Sequence, residues 1–183
     1  METYLAPIEN PQDPALKAAY AYSEQTFGKV ITPFKVLVAR LGMDFAQFYG
    51  KIGELDQKLT LPKETVMLAR LQVARLNVCE FCMDIKRWEI IHTSMNAAKF
   101  DALDQYSTSA LFNEKEKALL DYVTELTRDK KMSPATFKRL AAHFNEREIC
   151  EIVYLISTEH IYNVGNIGLN IHSDMLCDIS RKK

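Results

Sequence analysis

The sequence predicts an all-α protein, and three observations support that fold class. Glycine is absent from residues 54–164. The two prolines in that interval, Pro62 and Pro134, both stand where a helix would begin. The segments NEKE (113–116) and NERE (145–148) each place a capping asparagine three residues before a glutamate. Such breakers and caps are typical of long helices and leave little room for hairpins.

Local signals then place the helices in chain order. Glycine and proline separate the early helices, and Pro62 begins the fourth. Ser133 and Pro134 indicate an N-cap and first turn, and Asn113 and Asn145 cap the helices on either side. The predicted helices span residues 15–26, 32–41, 43–57, 62–76, 78–96, 101–106, 113–130, 134–144 and 146–168.

The chain length and composition indicate one domain without a linker. The chain has 183 residues, of which 48% are hydrophobic, so it can bury a sizeable core without disulfides. We predict an N-terminal arm and first helix over residues 1–30, a helical domain over 31–172 and a tail over 173–183. The last six residues, DISRKK, are expected to fray.

Charge and hydropathy argue against several partners. Lys and Arg number 23 against 24 for Asp and Glu, so there is no basic field for nucleic acid or an anionic membrane. No apolar run approaches a membrane span, and the N-terminus lacks a signal-peptide pattern. We therefore expect a soluble cytoplasmic protein. No Gly-rich phosphate loop stands out, so a nucleotide or flavin cofactor is not expected.

Two of the four cysteines, Cys79 and Cys82, form a C-x-x-C pair that we interpret as redox-active. If Asn77 caps their helix, both sulfurs lie in its first two turns, where the helix dipole and free N–H groups favour a thiolate. Lys86 follows Cys82 by four residues and adds positive charge on the same face. Simple core packing is the main alternative. A zinc site would need two further ligands, and none follows a metal-binding spacing.

The segment LQVARLNVCEFCMD (71–84) resembles the redox segment of carboxymuconolactone decarboxylase-like and alkylhydroperoxidase D-like proteins. Residues 111–169 are similar to the later helices of that family in order and spacing, and residues 31–62 resemble its opening. The resemblance implies an all-α fold that assembles into trimers or hexamers. It also implies peroxide reduction in which Cys82 attacks the peroxide, Cys79 forms the disulfide and a dithiol or protein thiol restores both.

The sequence departs from the family pattern at two positions. The family has a glutamate twelve residues before the first cysteine and a histidine four residues after the second, and these form a proton relay. Here Met67 and Lys86 occupy those positions. A thioether has no proton to transfer, and a lysine with a pKa of about 10.4 is a poor base at neutral pH.

Two other residues are candidate substitutes for the relay. Glu64 lies on the face of Met67, about 4.5 Å away along the helix axis. His160 interrupts an apparent apolar stripe, Ile149, Val153, Ile156, Val164 and Ile167, where an imidazole needs a partner. A structural histidine bonded to a carbonyl, or to Glu159 of a neighbouring subunit, is the alternative for His160.

Three functional hypotheses follow from these residues and the resemblance. The first is a thiol-dependent peroxidase that reduces small organic hydroperoxides through Cys79 and Cys82. The second is a non-enzymatic, oligomeric binding protein in which the relay has been lost. The third is a lactone decarboxylase, which would leave the C-x-x-C pair unexplained.

Overall fold

The protein is built from helices joined by short connections. The computed structural model describes residues 2–93 and 95–181, and no β-strand occurs in those ranges. The α-helices are α1 (Pro14–Phe27), α2 (Ala39–Leu41), α3 (Met43–Asp56), α4 (Lys63–Leu76), α5 (Glu80–Ile91), α6 (Ala97–Asp101), α7 (Glu114–Asp129), α8 (Pro134–Ala141), α9 (Glu146–Gly168) and α10 (Leu176–Arg181). A π-helical turn, Phe34–Val38, leads into α2, and a 3-10 turn, Leu103–Gln105, follows α6. The predicted all-α fold class is confirmed.

The predicted start signals lie at the N-termini of α7, α8 and α9. The Asn113 and Asn145 side chains each accept a hydrogen bond from the backbone N–H three residues on, and the glutamate at that position accepts one from the backbone N–H of the capping asparagine. Ser133 caps α8 by accepting from the N–H of Thr136. These contacts satisfy backbone donors that a helix N-terminus leaves unpaired. As a result, α9 spans the predicted residues 146–168.

The helix predicted over residues 78–96 is shorter, and its cap differs from the expectation. Asn77 is the C-cap of α4, while Cys79 is the N-cap of α5, so the prediction that Asn77 caps the cysteine helix is wrong. Val78, between them, has φ 56°, a left-handed conformation that is costly for a β-branched residue. The chain therefore turns sharply directly before the first cysteine.

The main core surrounds α4, which packs against α7 on one side and α9 on the other. Residues 67–74 of α4 are all buried. Met67 belongs to this core and contributes to an apolar cluster that includes Leu119 and Leu155. The position that holds the relay glutamate in the resembled family is therefore filled here by a packed thioether.

The N-terminal and C-terminal segments pack together on α5. Asp174 accepts hydrogen bonds from Lys29 Nζ at 2.8 Å and from the Thr32 backbone N–H at 2.6 Å. Leu176 is buried beside Phe81 of α5. Residues 178–181, predicted to fray, continue helix α10, while residues 182–183 lie outside the described ranges.

Within the described ranges, no helix is both long and apolar enough to cross a membrane.

Candidate active site

Cys79 and Cys82 lie at the junction of α4 and α5, where the chain reverses. They are joined by a disulfide with their Cα atoms 5.2 Å apart. The backbone N–H of Cys79 donates to the Ala74 carbonyl at 2.9 Å, which fixes the junction to the end of α4. Both cysteines are buried, with exposed fractions of 1% and 2%. The two sulfurs are therefore held together by local backbone geometry.

Two N–H groups point at the sulfur atoms. The backbone N–H of Cys82 donates to Cys79 Sγ at 3.4 Å, as expected for an N-cap side chain. Asn166 on α9 donates from Nδ2 to Cys82 Sγ at 3.3 Å. Donors to a sulfur stabilise its anionic form, so this arrangement favours thiolates once the disulfide is reduced.

A cavity of about 290 Å³ borders Cys82 and is rich in aromatic rings. Cys82, but not Cys79, is among the described residues that line it. Six aromatic side chains form much of the wall: Tyr22, Phe27, Phe34, Tyr49, Phe81 and Tyr162. These rings come from α1, the π-helical turn, α3, α5 and α9. The first 34 residues therefore supply part of the site.

Charged side chains form the polar end of the same cavity. Arg70 donates to both carboxylate oxygens of Asp56 at 2.9 and 2.8 Å, and to Glu159 at 3.1 Å. Asn163 also donates to Glu159, at 3.0 Å, and accepts from Asn77 at 2.8 Å. Burial alone would lower the pKa of Arg70, but the charges of Glu159 and Asp56 outweigh it and raise the pKa. Arg70 is therefore a permanent cation inside the protein.

Lys86 completes the polar end, one helical turn beyond Cys82. Its side chain is 15% exposed, and its Nζ lies 3.9 Å from Glu159 Oε2. Among the described residues, no acceptor lies within hydrogen-bonding distance of this Nζ. The ammonium group is therefore oriented by Glu159 while its N–H donors stay unused by the protein.

Tyr162 lies between the cysteine pair and this charged end. Its ring packs against the cluster formed by Ala74, Cys79 and Cys82. The Arg70 guanidinium lies 5.9 Å from the ring centroid. Burial raises the pKa of the Tyr162 phenol, so its hydroxyl stays neutral at physiological pH.

The other two predicted relay residues lie away from the cavity. Glu64 accepts a hydrogen bond from Lys99 Nζ at 2.7 Å, and Lys99 also binds Glu116. His160 donates from Nδ1 to the Ile156 carbonyl at 2.9 Å, and its Nε2 accepts from Lys130. Neither lines the cavity beside Cys82. His160 is bonded to a carbonyl, which was the structural alternative.

The structure also corrects the apolar stripe proposed for α9. Val153, Val164 and Ile167 are exposed, whereas the buried face carries Ile152, Leu155, Ile156, Glu159, Asn163 and Asn166. Glu159 therefore lies inside its own chain, paired with Arg70. Two features of the sequence could have indicated this pair. Arg70 stands within the apolar stretch of α4, and Glu159 comes one turn before Asn163 on α9.

The described residues contain no group of three or more His, Cys, Asp or Glu side chains arranged to hold a metal ion.

Comparison with solved structures identifies the fold. An uncharacterized peroxidase-related protein from Ralstonia eutropha, with an alkylhydroperoxidase AhpD core, superposes with a TM-score of 0.79 at 15% identity. That match covers 95% of this chain and 94% of the other. The protein therefore has the alkylhydroperoxidase D-like helical fold, as predicted.

Two further proteins are similar to this one. The uncharacterized protein YnjA of Escherichia coli (strain K12) is 28% identical over 164 residues, covering 86% of this chain and 87% of YnjA. A cysteine-to-alanine variant of the debrominase Bmp8, in complex with 2,3,4-tribromopyrrole, superposes with a TM-score of 0.80 at 19% identity. That match covers 100% of this chain and 97% of Bmp8. No family model matches the sequence.

Proposed function

We propose that this protein is a thiol-dependent oxidoreductase that reduces small organic hydroperoxides by cycling Cys79 and Cys82 between dithiol and disulfide. The observation that carries the proposal is that Cys82 borders the cavity, while Cys79 sits behind it within bonding distance. One sulfur can meet the substrate, and the other can form the disulfide. The Asn166 donor favours the thiolate that the first step requires.

The reaction balances with these two thiols and one hydroperoxide. The Cys82 thiolate attacks the terminal peroxide oxygen, the O–O bond breaks, and an S–O bond forms as the alkoxide departs. Cys79 then attacks the sulfenic acid sulfur, the S–O bond breaks, and hydroxide leaves and becomes water. The products are one alcohol, one water and the disulfide, which an external dithiol or protein thiol reduces.

The cavity limits the size and polarity of the substrate. A volume of about 290 Å³ is at the lower end of the range of about 300–1,000 Å³ that is usual for small-molecule sites. The ring-lined wall favours an apolar body, and the charged end accommodates a polar head group. A hydroperoxide with a single ring or a short branched chain fits these limits.

Stopped-flow consumption of cumene hydroperoxide by the fully reduced protein tests the proposal. We expect Cys82→Ser to abolish consumption, and Cys79→Ser to permit one turnover without a disulfide. Cys150→Ser is the matched control, since Cys150 is an exposed free thiol that does not line the cavity. Absence of Cys82-dependent consumption would contradict the proposal and favour the non-enzymatic binding hypothesis.

Reductive dehalogenation is a second candidate, favoured by the match to the debrominase over the whole chain and by the aromatic cavity wall. In this reaction the two thiols supply two electrons, the carbon–halogen bond is replaced by carbon–hydrogen, and halide and a proton are released with the disulfide. Bromide release from a brominated pyrrole, measured beside hydroperoxide consumption, distinguishes the two activities.

Assembly into a trimer or hexamer stays a prediction. The outward face of α9 supports it, because Ile161, Val164 and Ile167 are 40%, 67% and 46% exposed. Light scattering of the purified protein tests the oligomeric state, and a monomer at all concentrations would contradict the prediction.

A further inference from the structure

The feature that carries a further inference is the Lys86 ammonium beside Cys82. Lys86 is mostly buried and borders the cavity, one helical turn from the sulfur that meets the substrate. Its N–H donors find no protein acceptor at hydrogen-bonding distance in the part of the chain that the structure describes. Because the side chain is 15% exposed and lines the cavity, its N–H donors are accessible to a molecule that enters there.

Glu159 holds Lys86 in place without occupying its donors. The carboxylate is fixed by Arg70 and Asn163, and it lies 3.9 Å from Lys86 Nζ, too far for a hydrogen bond. Arg70 is itself fixed by Asp56. Two cations, Arg70 and Lys86, therefore face two anions, Asp56 and Glu159, and the charges sum to zero. Lys86 is the cation on this wall whose donors are not used by the protein, so it can meet a negative charge that develops on a substrate in the cavity.

We propose that Lys86 is the catalytic acid of this site and that Glu159 is its positioning residue. This inference rests on the proposed hydroperoxide reduction. As the O–O bond breaks, Lys86 Nζ gives a proton to the departing alkoxide oxygen, which becomes the alcohol. The neutral amine then regains a proton from water that enters the cavity, while Cys79 attacks the sulfenic acid sulfur and hydroxide leaves and becomes water. Lys86 is thereby restored as an ammonium for the next cycle.

The leaving group provides a test that a structural role would not satisfy. An alkoxide needs a proton to leave, whereas the carboxylate released from a peroxyacid does not. With Lys86→Met, we expect the rate constant for tert-butyl hydroperoxide to fall by roughly a hundredfold or more, the usual effect of losing a general acid. The rate constant for peracetic acid should change by less than about threefold, because no proton transfer is required.

A second variant separates proton transfer from charge. Lys86→Arg keeps the positive charge, but a guanidinium does not release its proton. It should therefore be nearly as slow as Lys86→Met with tert-butyl hydroperoxide. Full activity of Lys86→Arg with that substrate would overturn the role of Lys86 as a catalytic acid. Lys86 would then have only an electrostatic role.

The role of Glu159 has a matched control on the same helix. Glu151 is also a buried carboxylate of α9, but it accepts from Thr60, Leu61 and Arg147 and does not line the cavity. Glu159→Gln should slow reduction of tert-butyl hydroperoxide roughly tenfold and spare peracetic acid. Glu151→Gln should leave both rates unchanged, and circular dichroism should verify that both variants fold.

The outcomes separate the two proposals. If the unchanged protein consumes neither peroxide in a Cys82-dependent manner, the proposed function fails and the inference falls with it. If the unchanged protein is active but Lys86→Met slows the reduction of both peroxides equally, only the role of Lys86 is overturned.

Discussion

Asn166 of α9 donates a hydrogen bond to Cys82 of α5, with Nδ2 and Sγ 3.3 Å apart, and both residues line the cavity. The donor is buried, with an exposed fraction of 5%, so water does not compete freely for the sulfur. The reactivity of the cysteine therefore depends on a helix far along the chain.

Removing that donor should lower the reactivity of Cys82. In a Cys79→Ser background, Asn166→Ala should slow alkylation of Cys82 by iodoacetamide roughly tenfold at neutral pH, since a hydrogen bond to a charged group contributes about 1.5–3 kcal/mol. Mass spectrometry of the labelled peptides measures the rate. The exposed thiol of Cys150 in the same sample is the internal control. An unchanged ratio of the two rates would contradict the prediction.

Arg70 should be important for stability. Arg70→Met leaves the Asp56 and Glu159 carboxylates without their shared cation, and breaking a buried pair costs about 3–5 kcal/mol. Urea denaturation should show that loss in the free energy of unfolding. Arg87→Met is the control, because the pair between Arg87 and Asp101 is about half exposed and should contribute less than about 1 kcal/mol. Equal effects of the two variants would contradict this account.

Alkaline pH should destabilise the protein through the partly buried Tyr154. Burial and the hydrogen bond to Asp56 raise the pKa of Tyr154 from 10.0 to about 12. The unfolded chain releases this proton near pH 10, so the contribution to stability is complete below about pH 10 and is lost as pH rises through about 12.

Tyr154→Phe should therefore have two opposite effects. It should reduce the free energy of unfolding at pH 8 by about 1 kcal/mol through the lost hydrogen bond, and it should make the alkaline decline shallower. Urea denaturation between pH 8 and 11.5 measures both. Tyr4→Phe, at a residue that is 73% exposed, should change neither. An alkaline slope as steep as that of the unchanged protein would count against the assignment to Tyr154.

The contacts of Asp174 with Lys29 and Thr32 should stabilise the nearby part of the cavity wall, which residues 31–34 help to form. Asp174→Ala removes the acceptor for Lys29 and for the backbone and hydroxyl of Thr32. Hydrogen exchange should become faster at residues 29–34, and stability should fall by about 1–3 kcal/mol, because a buried backbone donor loses its partner. Amide protection at residues 114–129 of α7 should decrease no more than the global free energy of unfolding does. Uniform loss of protection throughout the chain would show that Asp174 supports the whole fold instead.

Local signals in the sequence predicted the long helices well because their causes are local. The capping boxes at Asn113 and Asn145 need only neighbouring residues, and both occur as expected. The junction at Val78 was missed because its left-handed backbone is imposed by how α4 and α5 pack, and no glycine marks it.

The cysteine pair was identifiable from the sequence, but its polar surroundings were not. Glu159 entered the sequence analysis only as an alternative partner for His160, from a neighbouring subunit, because the apolar residues on α9 indicated the wrong buried face. The choice between faces depends on what α9 packs against, which is the Arg70 side of α4 and the cysteine helix. Pairings between residues some ninety positions apart, such as Arg70 with Glu159, leave no local pattern.

The origin of the cavity wall also has an evolutionary consequence. Phe27 and Phe34 come from the first 34 residues, whereas both sulfurs come from the junction of α4 and α5. One part of the cavity wall and the two sulfurs are therefore encoded in separate stretches of sequence. Substitutions confined to the first stretch can reshape this part of the wall while Cys79, Cys82 and the junction that holds them are inherited unchanged.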